Sequence, residues 1–152
     1  MNNKTKWPQI GFENDFEYIF KFKNGKEKRK KIKFIRNPPR LSAAKGGPYG
    51  ILYDRLFFEF KEEKEKVALL WHEFYHSLFG VWFFKWGENQ KSNWKEEFAA
   101  DRFSAVENSV KDCLAYLRIA KKIYEEGKAK YNPLKHPPVE ERIERIELLL
   151  QK

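Results

Sequence analysis

The chain has 152 residues, a formal net charge of +9 and an aromatic content of 17%. That length bounds one domain, 1–152, with one core, and 14 Phe, 7 Tyr and 5 Trp exclude disorder for most of the sequence. The lone Cys113 excludes an intramolecular disulfide framework and a Cys-rich zinc site, and it fits a reducing, cytoplasmic compartment.

In chain order, residues 1–15 are polar and lack the apolar core of a signal peptide. Phe16, Tyr18, Phe20 and Phe22 then alternate with other residues and predict a strand. Asn24-Gly25 marks a turn, and residues 30–35 predict a second strand with Ile32 and Phe34 facing inward. Pairing Tyr18 with Ile32 and Phe16 with Phe34 requires an odd-length loop or a bulge. Nine Lys or Arg against one Glu in residues 21–36 give a local +8. Such a patch fits nucleic acid or anionic lipid, or a solvated hairpin face that guards a sheet edge. No nucleic-acid motif accompanies it, which favours the hairpin face.

Asn37-Pro38-Pro39 ends the hairpin, residues 43–48 read as a mobile loop, and residues 49–53 predict a third strand able to bind an extended substrate. Residues 56–60 fit either a strand or the approach to a helix. From residue 62 to 79 the period becomes helical, with Val67, Leu70, Trp71, Phe74 and Leu78 as the core stripe and Gly80 as the stop. The apolar run 67–84 contains Glu73 and two histidines, so a buried helix is cheaper than a membrane span, and the protein reads as soluble. Residues 81–91 form an aromatic-rich loop in which Trp82, Phe83, Phe84 and Trp86, with Trp94 beyond it, wall a cleft or fill the core. A capping box at Asn93–Glu96 starts one long helix closed by Gly127, with Ala99, Phe103, Val106, Val110, Cys113, Leu117 and Ala120 inward. A last helix begins at Pro137-Pro138 with Val139, Ile143, Ile146 and Leu150 inward.

The chemistry lies in His72-Glu73-Phe74-Tyr75-His76. Residues four apart share one helix face, so both imidazoles reach one metal ion while Glu73 points sideways toward a water. Two unrelated helix histidines are the bland alternative, and a further ligand decides between them. A metzincin places a Gly three residues and a ligand six residues after the second histidine. Here Phe79 and Trp82 stand there, and the only Met is Met1, which excludes that class. Glu97 and Asp101 are again four apart, so one carboxylate can bind the metal while the other accepts a proton from a ligand imidazole. The same acidic residues also suit a helix N-terminus, where the dipole favours them.

Taken in order, His72-Glu73-x-x-His76, Glu97-Phe-Ala-Ala-Asp101 and His136-Pro-Pro-Val-Glu-Glu-Arg142 resemble the gluzincin zinc peptidases of the HtpX and CAAX-prenyl-protease type. The resemblance covers a little over half the chain. Without the membrane helices of the large members, it resembles the soluble minimal members, the minigluzincins. It implies an α+β, zincin-like fold. Residues 1–60 would carry a small sheet of about three strands, and residues 61–152 an active-site helix, a glutamate helix and a C-terminal helix. It implies one zinc ion held by His72, His76 and Glu97, with Glu73 as the general base toward water. By the same carry-over His136 is a second donor to the oxyanion, and Arg142 pairs with Asp101 or orients His136. The expected partner is a peptide or unfolded protein. The rivals are a regulatory protease of the ImmA type and a non-catalytic zinc scaffold whose basic hairpin binds nucleic acid or anionic lipid. The high Lys and Glu content is also in keeping with a thermophilic source.

Overall fold

Alternation produces the first strand, β1 (Phe16–Lys21), in which Phe16 and Phe20 are buried while Glu17 and Lys21 face solvent. The computed structural model describes residues 5–47, 50–79 and 89–151. Strand β2 (Glu27–Phe34) returns antiparallel to β1, and the bond between Phe22 and Lys26 closes a three-residue loop, 23–25. Phe22 N–H donates to Lys26 O at 2.8 Å and Gly25 N–H to Phe22 O at 2.9 Å, with Gly25 at φ +92°. Glycine reaches that left-handed conformation without a Cβ penalty. The loop is odd in length, as the pattern of apolar residues requires. Its tightness moves the register two residues from the expected one: Phe16 lies opposite Ile32 and Tyr18 opposite Lys30.

Two further strands complete a mixed sheet of order β1-β2-β4-β3, where β3 is Ala44–Gly47 and β4 is Gly50–Tyr53. Strand β4 runs parallel to β2 and antiparallel to β3. Two expectations are corrected here. Residues 44–47, within the segment expected to be a mobile loop, form an edge strand, and the sheet has four strands among the described residues rather than about three. Pairing with β4, not intrinsic propensity, makes a strand of Ala-Lys-Gly-Gly. Strand β4 is also paired on both sides, so the substrate-binding edge expected at residues 49–53 is not there.

A 3₁₀ turn (Arg55–Glu59) leads from the sheet into α1 (Glu63–Phe79). Buried Asp54 organises this corner: its carboxylate accepts from the N–H groups of Ser42, Ala43 and Leu56 at 2.8, 3.2 and 2.9 Å. Those bonds hold Ala43 at φ +71°, a conformation costly for a residue with a Cβ. Helix α1 then crosses the inner face of the sheet. Phe20 stacks on Phe74 with ring centres 4.1 Å apart and meets the edge of Trp71 at 5.0 Å. Each such fully buried side chain contributes about 1.5–3 kcal/mol over leaving it exposed. Leu78, expected in the stripe, is exposed.

The long helix expected up to Gly127 is two helices, α2 (Gln90–Glu107) and α3 (Val110–Glu125). Asn89, not Asn93, caps α2 by accepting from Ser92 N–H at 3.1 Å. Ser109 caps α3 by accepting from Asp112 N–H at 3.1 Å. The break re-aims the second half across α1, which leaves Val106 exposed where the continuous stripe had it inward. Helix α4 (Val139–Glu147) follows the Pro-Pro step, with Val139, Arg142 and Ile146 buried; Leu150, beyond its end, is exposed rather than inward. Gly80, Trp82, Phe83, Phe84 and Trp86 lie outside the described residues. Among those described, no helix is long and apolar enough to cross a membrane. The architecture is α+β, a small mixed sheet with four α-helices among the described residues.

Candidate functional site

Helix α1 presents His72 and His76 on one face toward α2, and both imidazoles are buried. Their Nε2 atoms lie 3.1 Å apart. Glu97, from the first half of α2, places Oε1 2.8 Å from His76 Nε2 and 3.3 Å from His72 Nε2. The donor atoms of these three residues fall within 4.8 Å of one another.

The opposite ring nitrogens are fixed by carboxylates. His72 Nδ1 meets Asp101 Oδ1 at 2.8 Å, and His76 Nδ1 meets Glu96 Oε2 at 3.0 Å. A carboxylate accepts only, so each Nδ1 carries hydrogen and, in the neutral imidazole, each Nε2 offers a lone pair. Two nitrogen lone pairs and one carboxylate oxygen thus aim at a single point. Tetrahedral bonds of about 2.0–2.2 Å put ligand atoms roughly 3.3–3.6 Å apart, a small opening of this cluster. The buried His-His-Glu group can hold a metal ion.

Asp101 is in turn clamped by Arg142 of α4, whose Nε donates to Oδ2 at 2.8 Å and Nη2 to Oδ1 at 2.9 Å. The same Nη2 donates to Tyr116 Oη at 3.0 Å. Of the two partners the sequence allowed for Arg142, the contact made is with Asp101. His136 Nδ1 is 2.8 Å from Glu97 Oε2, the oxygen that does not face the two other histidines. Its ring also lines the cleft.

Without an ion this cluster is a charged network. Burial alone would lower the His72 and His76 imidazolium pKa values, but Glu97 with Asp101, and Glu96 with Glu97, outweigh it and raise both. Burial pushes Glu97 upward, yet His72 and its other imidazole partners hold it well below the usual carboxylate range. Burial likewise opposes Asp101, and Arg142 brings it down. Glu73 differs: burial prevails and raises it. Its Oε2 sits 4.0 Å from His72 Nε2, and the main-chain N–H of Gly46 opposes part of that rise.

Strand β3 is the outer wall of the site. Asp54 N–H donates to Ala43 O at 3.0 Å, so by antiparallel alternation residues 45 and 47 bond to β4 while Ala44 and Gly46 point their main-chain groups outward. A Cβ on Gly46 would stand 1.9 Å from the main-chain oxygen of Glu73, whereas one on Gly47 would meet nothing within 4 Å. Gly46→Ala is therefore expected to separate β3 from α1 at a cost of about 3 kcal/mol, the upper end for overpacking. Gly47→Ala should stay within about 0.5 kcal/mol of the parent. Urea unfolding midpoints compare the two, and equal midpoints would remove the close approach from the account.

Glu96 and Tyr116 were not among the residues singled out from the sequence. Glu96 had been read as part of a capping box, and only the approach of α2 to α1 shows its contact with His76. Cys113, buried on α3, donates its thiol to Asp101 O at 3.5 Å, and burial raises its pKa. Trp94 does not line the cleft; its Nε1 donates to Pro133 O at 2.7 Å and ties down the loop before α4. Comparison with protein-family models, curated proteins and solved structures gives no match.

Proposed function

We propose that this chain is a zinc-dependent peptidase of the gluzincin type, with a zincin-like fold, hydrolysing peptide bonds in peptides or unfolded proteins. The observation that carries the reading is the convergence of His72 Nε2, His76 Nε2 and Glu97 Oε1 beside a buried Glu73 that is not one of the three. Two imidazoles and one carboxylate suit zinc with an open fourth position. A zinc ion held there would supply Lewis acidity, polarising a carbonyl and making water a nucleophile near neutral pH.

The chain's own groups supply the remainder. Glu73, raised by burial, takes a proton from the attacking water and returns it to the leaving amine. Asp101 and Glu96 orient the two ligand imidazoles, and Arg142 keeps Asp101 in place. His136 donates Nδ1–H to Glu97 Oε2 and steadies that carboxylate; in its imidazolium form its Nε2–H would also donate to the developing oxyanion. The outward main-chain groups of Ala44 and the carbonyl of Gly46, whose N–H faces Glu73, suit pairing with an extended peptide, so this role passes from β4 to β3. The test is hydrolysis of casein by the zinc-loaded chain. Activity should disappear with a chelator and return with added zinc; intact casein under all three conditions would refute the reading.

A further inference from the structure

The cleft extends well beyond the histidine cluster, to about 700 Å³. Its inner wall is apolar: Leu56, Phe60, Leu69 and Ile123 line it and are themselves buried. Its charges are unevenly distributed. Among the described residues, the only carboxylates that line it are Glu73 and Glu97, and both belong to the histidine cluster. Six cations among the described residues line it as well. Two of these are neutralised by neighbours, Arg142 by Asp101 and Lys128 by Glu59 at 2.7 Å and Glu126 at 3.1 Å. The other four, Arg40, Lys45, Lys130 and Lys135, are exposed and have no carboxylate within 4.0 Å among the described residues.

These four cations stand on anchored backbone. Lys130 and Lys135 belong to the loop before α4, where Asn93 Nδ2 donates to Leu134 O at 3.1 Å and Tyr131 Oη to His136 O at 2.8 Å. Arg40 and Lys45 flank the corner held by Asp54. A low-dielectric cleft with a mouth of one sign concentrates ligands of the opposite sign. Apolar depth selects a side chain able to fill it.

Building on the peptidase reading, we propose that the cleft selects acidic peptides. An apolar side chain enters beside Leu56 and Phe60, and flanking Asp or Glu residues meet Arg40, Lys45, Lys130 and Lys135. The whole chain is basic, so selection by the cleft must be separated from attraction by net charge.

Fluorescein-labelled peptides with a central Leu, flanked by Glu in one and Lys in the other, are titrated with the Glu73→Gln chain, which keeps them intact. Fluorescence anisotropy reads binding. The acidic peptide should bind about tenfold tighter at low salt, and the preference should shrink as added salt screens exposed charges. Replacing its Leu with Gly should weaken binding several-fold. Lys130→Glu/Lys135→Glu should abolish the preference, whereas Lys26→Glu/Lys28→Glu, with the same change in net charge but outside the cleft, should keep it. Equal binding of both peptides, no binding of either, or equal loss in the two double variants would each overturn the proposal. Hydrolysis of casein by the parent chain is read separately. Charge-selective binding without hydrolysis leaves this proposal standing and removes the peptidase reading, and hydrolysis without charge selection does the reverse.

Discussion

Asp101→Ala is expected to destabilise the chain by about 3 kcal/mol, because it takes from buried Arg142 its hydrogen-bonded counter-charge and leaves only Glu97, 3.7 Å from Nη1 and already shared with three histidines. The Arg142 side chain is only 3% exposed and gives Asp101 two hydrogen bonds. Tyr116 accepts from the same guanidinium, but a neutral phenol cannot balance its charge, and Glu97 at 3.7 Å makes no hydrogen bond to it. For a chain of this size the loss corresponds to a fall in melting temperature of roughly 10 °C. Circular dichroism melting gives the comparison. Asp101→Leu/Arg142→Met should recover much of the loss, since removing both charges removes the uncompensated one. A melting temperature for Asp101→Ala within about 2 °C of the parent would show that Glu97 or water suffices for Arg142 and that the two bonds to Asp101 contribute little.

The second large effect is on turnover. Glu73→Gln should lower casein hydrolysis by about 10²–10⁴-fold, the usual contribution of a positioned acid–base group. It should leave metal content unchanged, because Glu73 is not among the three converging donors. Glutamine keeps the side-chain oxygen that Gly46 N–H can approach, so the wall formed by β3 should stay in place. Initial rates with metal stoichiometry on the same samples separate the two effects. Turnover within a few-fold of the parent would assign proton transfer to another group. Loss of metal in Glu73→Gln would make Glu73 part of the ion's coordination.

The parts of this site that are local in sequence could be read in advance. The spacing of His72 and His76, and of Glu97 and Asp101, fixes each pair on one helix face whatever surrounds it. What brings the pairs together is tertiary. Glu96 contacts His76 only because α2 approaches α1 at that height, and the residue had a plausible local explanation as a cap. The same competition hid the break between α2 and α3. Ser109 and Asp112 carry a helix-start signal, but the apolar pattern continued across it and favoured one long helix. Strand β3 failed for a different reason. Ala44, Lys45, Gly46 and Gly47 have no strand propensity, and their conformation comes from β4 on one side and the close approach of Glu73 on the other. The hairpin register shows a short loop prevailing over pattern. Closing the chain with three residues at Asn24-Gly25 fixed Phe16 opposite Ile32, which buries both without needing Phe34 opposite Phe16. The basic mouth of the cleft could not be seen at all, since Arg40 and Lys45 lie far along the chain from Lys130 and Lys135.

The central claim is that His72, His76 and Glu97 hold one zinc ion, and metal analysis of purified chains by plasma mass spectrometry tests it most directly. After equilibration with zinc and removal of excess, the parent should carry one zinc per chain, while His76→Ala and Glu97→Ala should each carry far less at the same protein recovery. A parent without zinc, or full zinc occupancy in both variants, would contradict it.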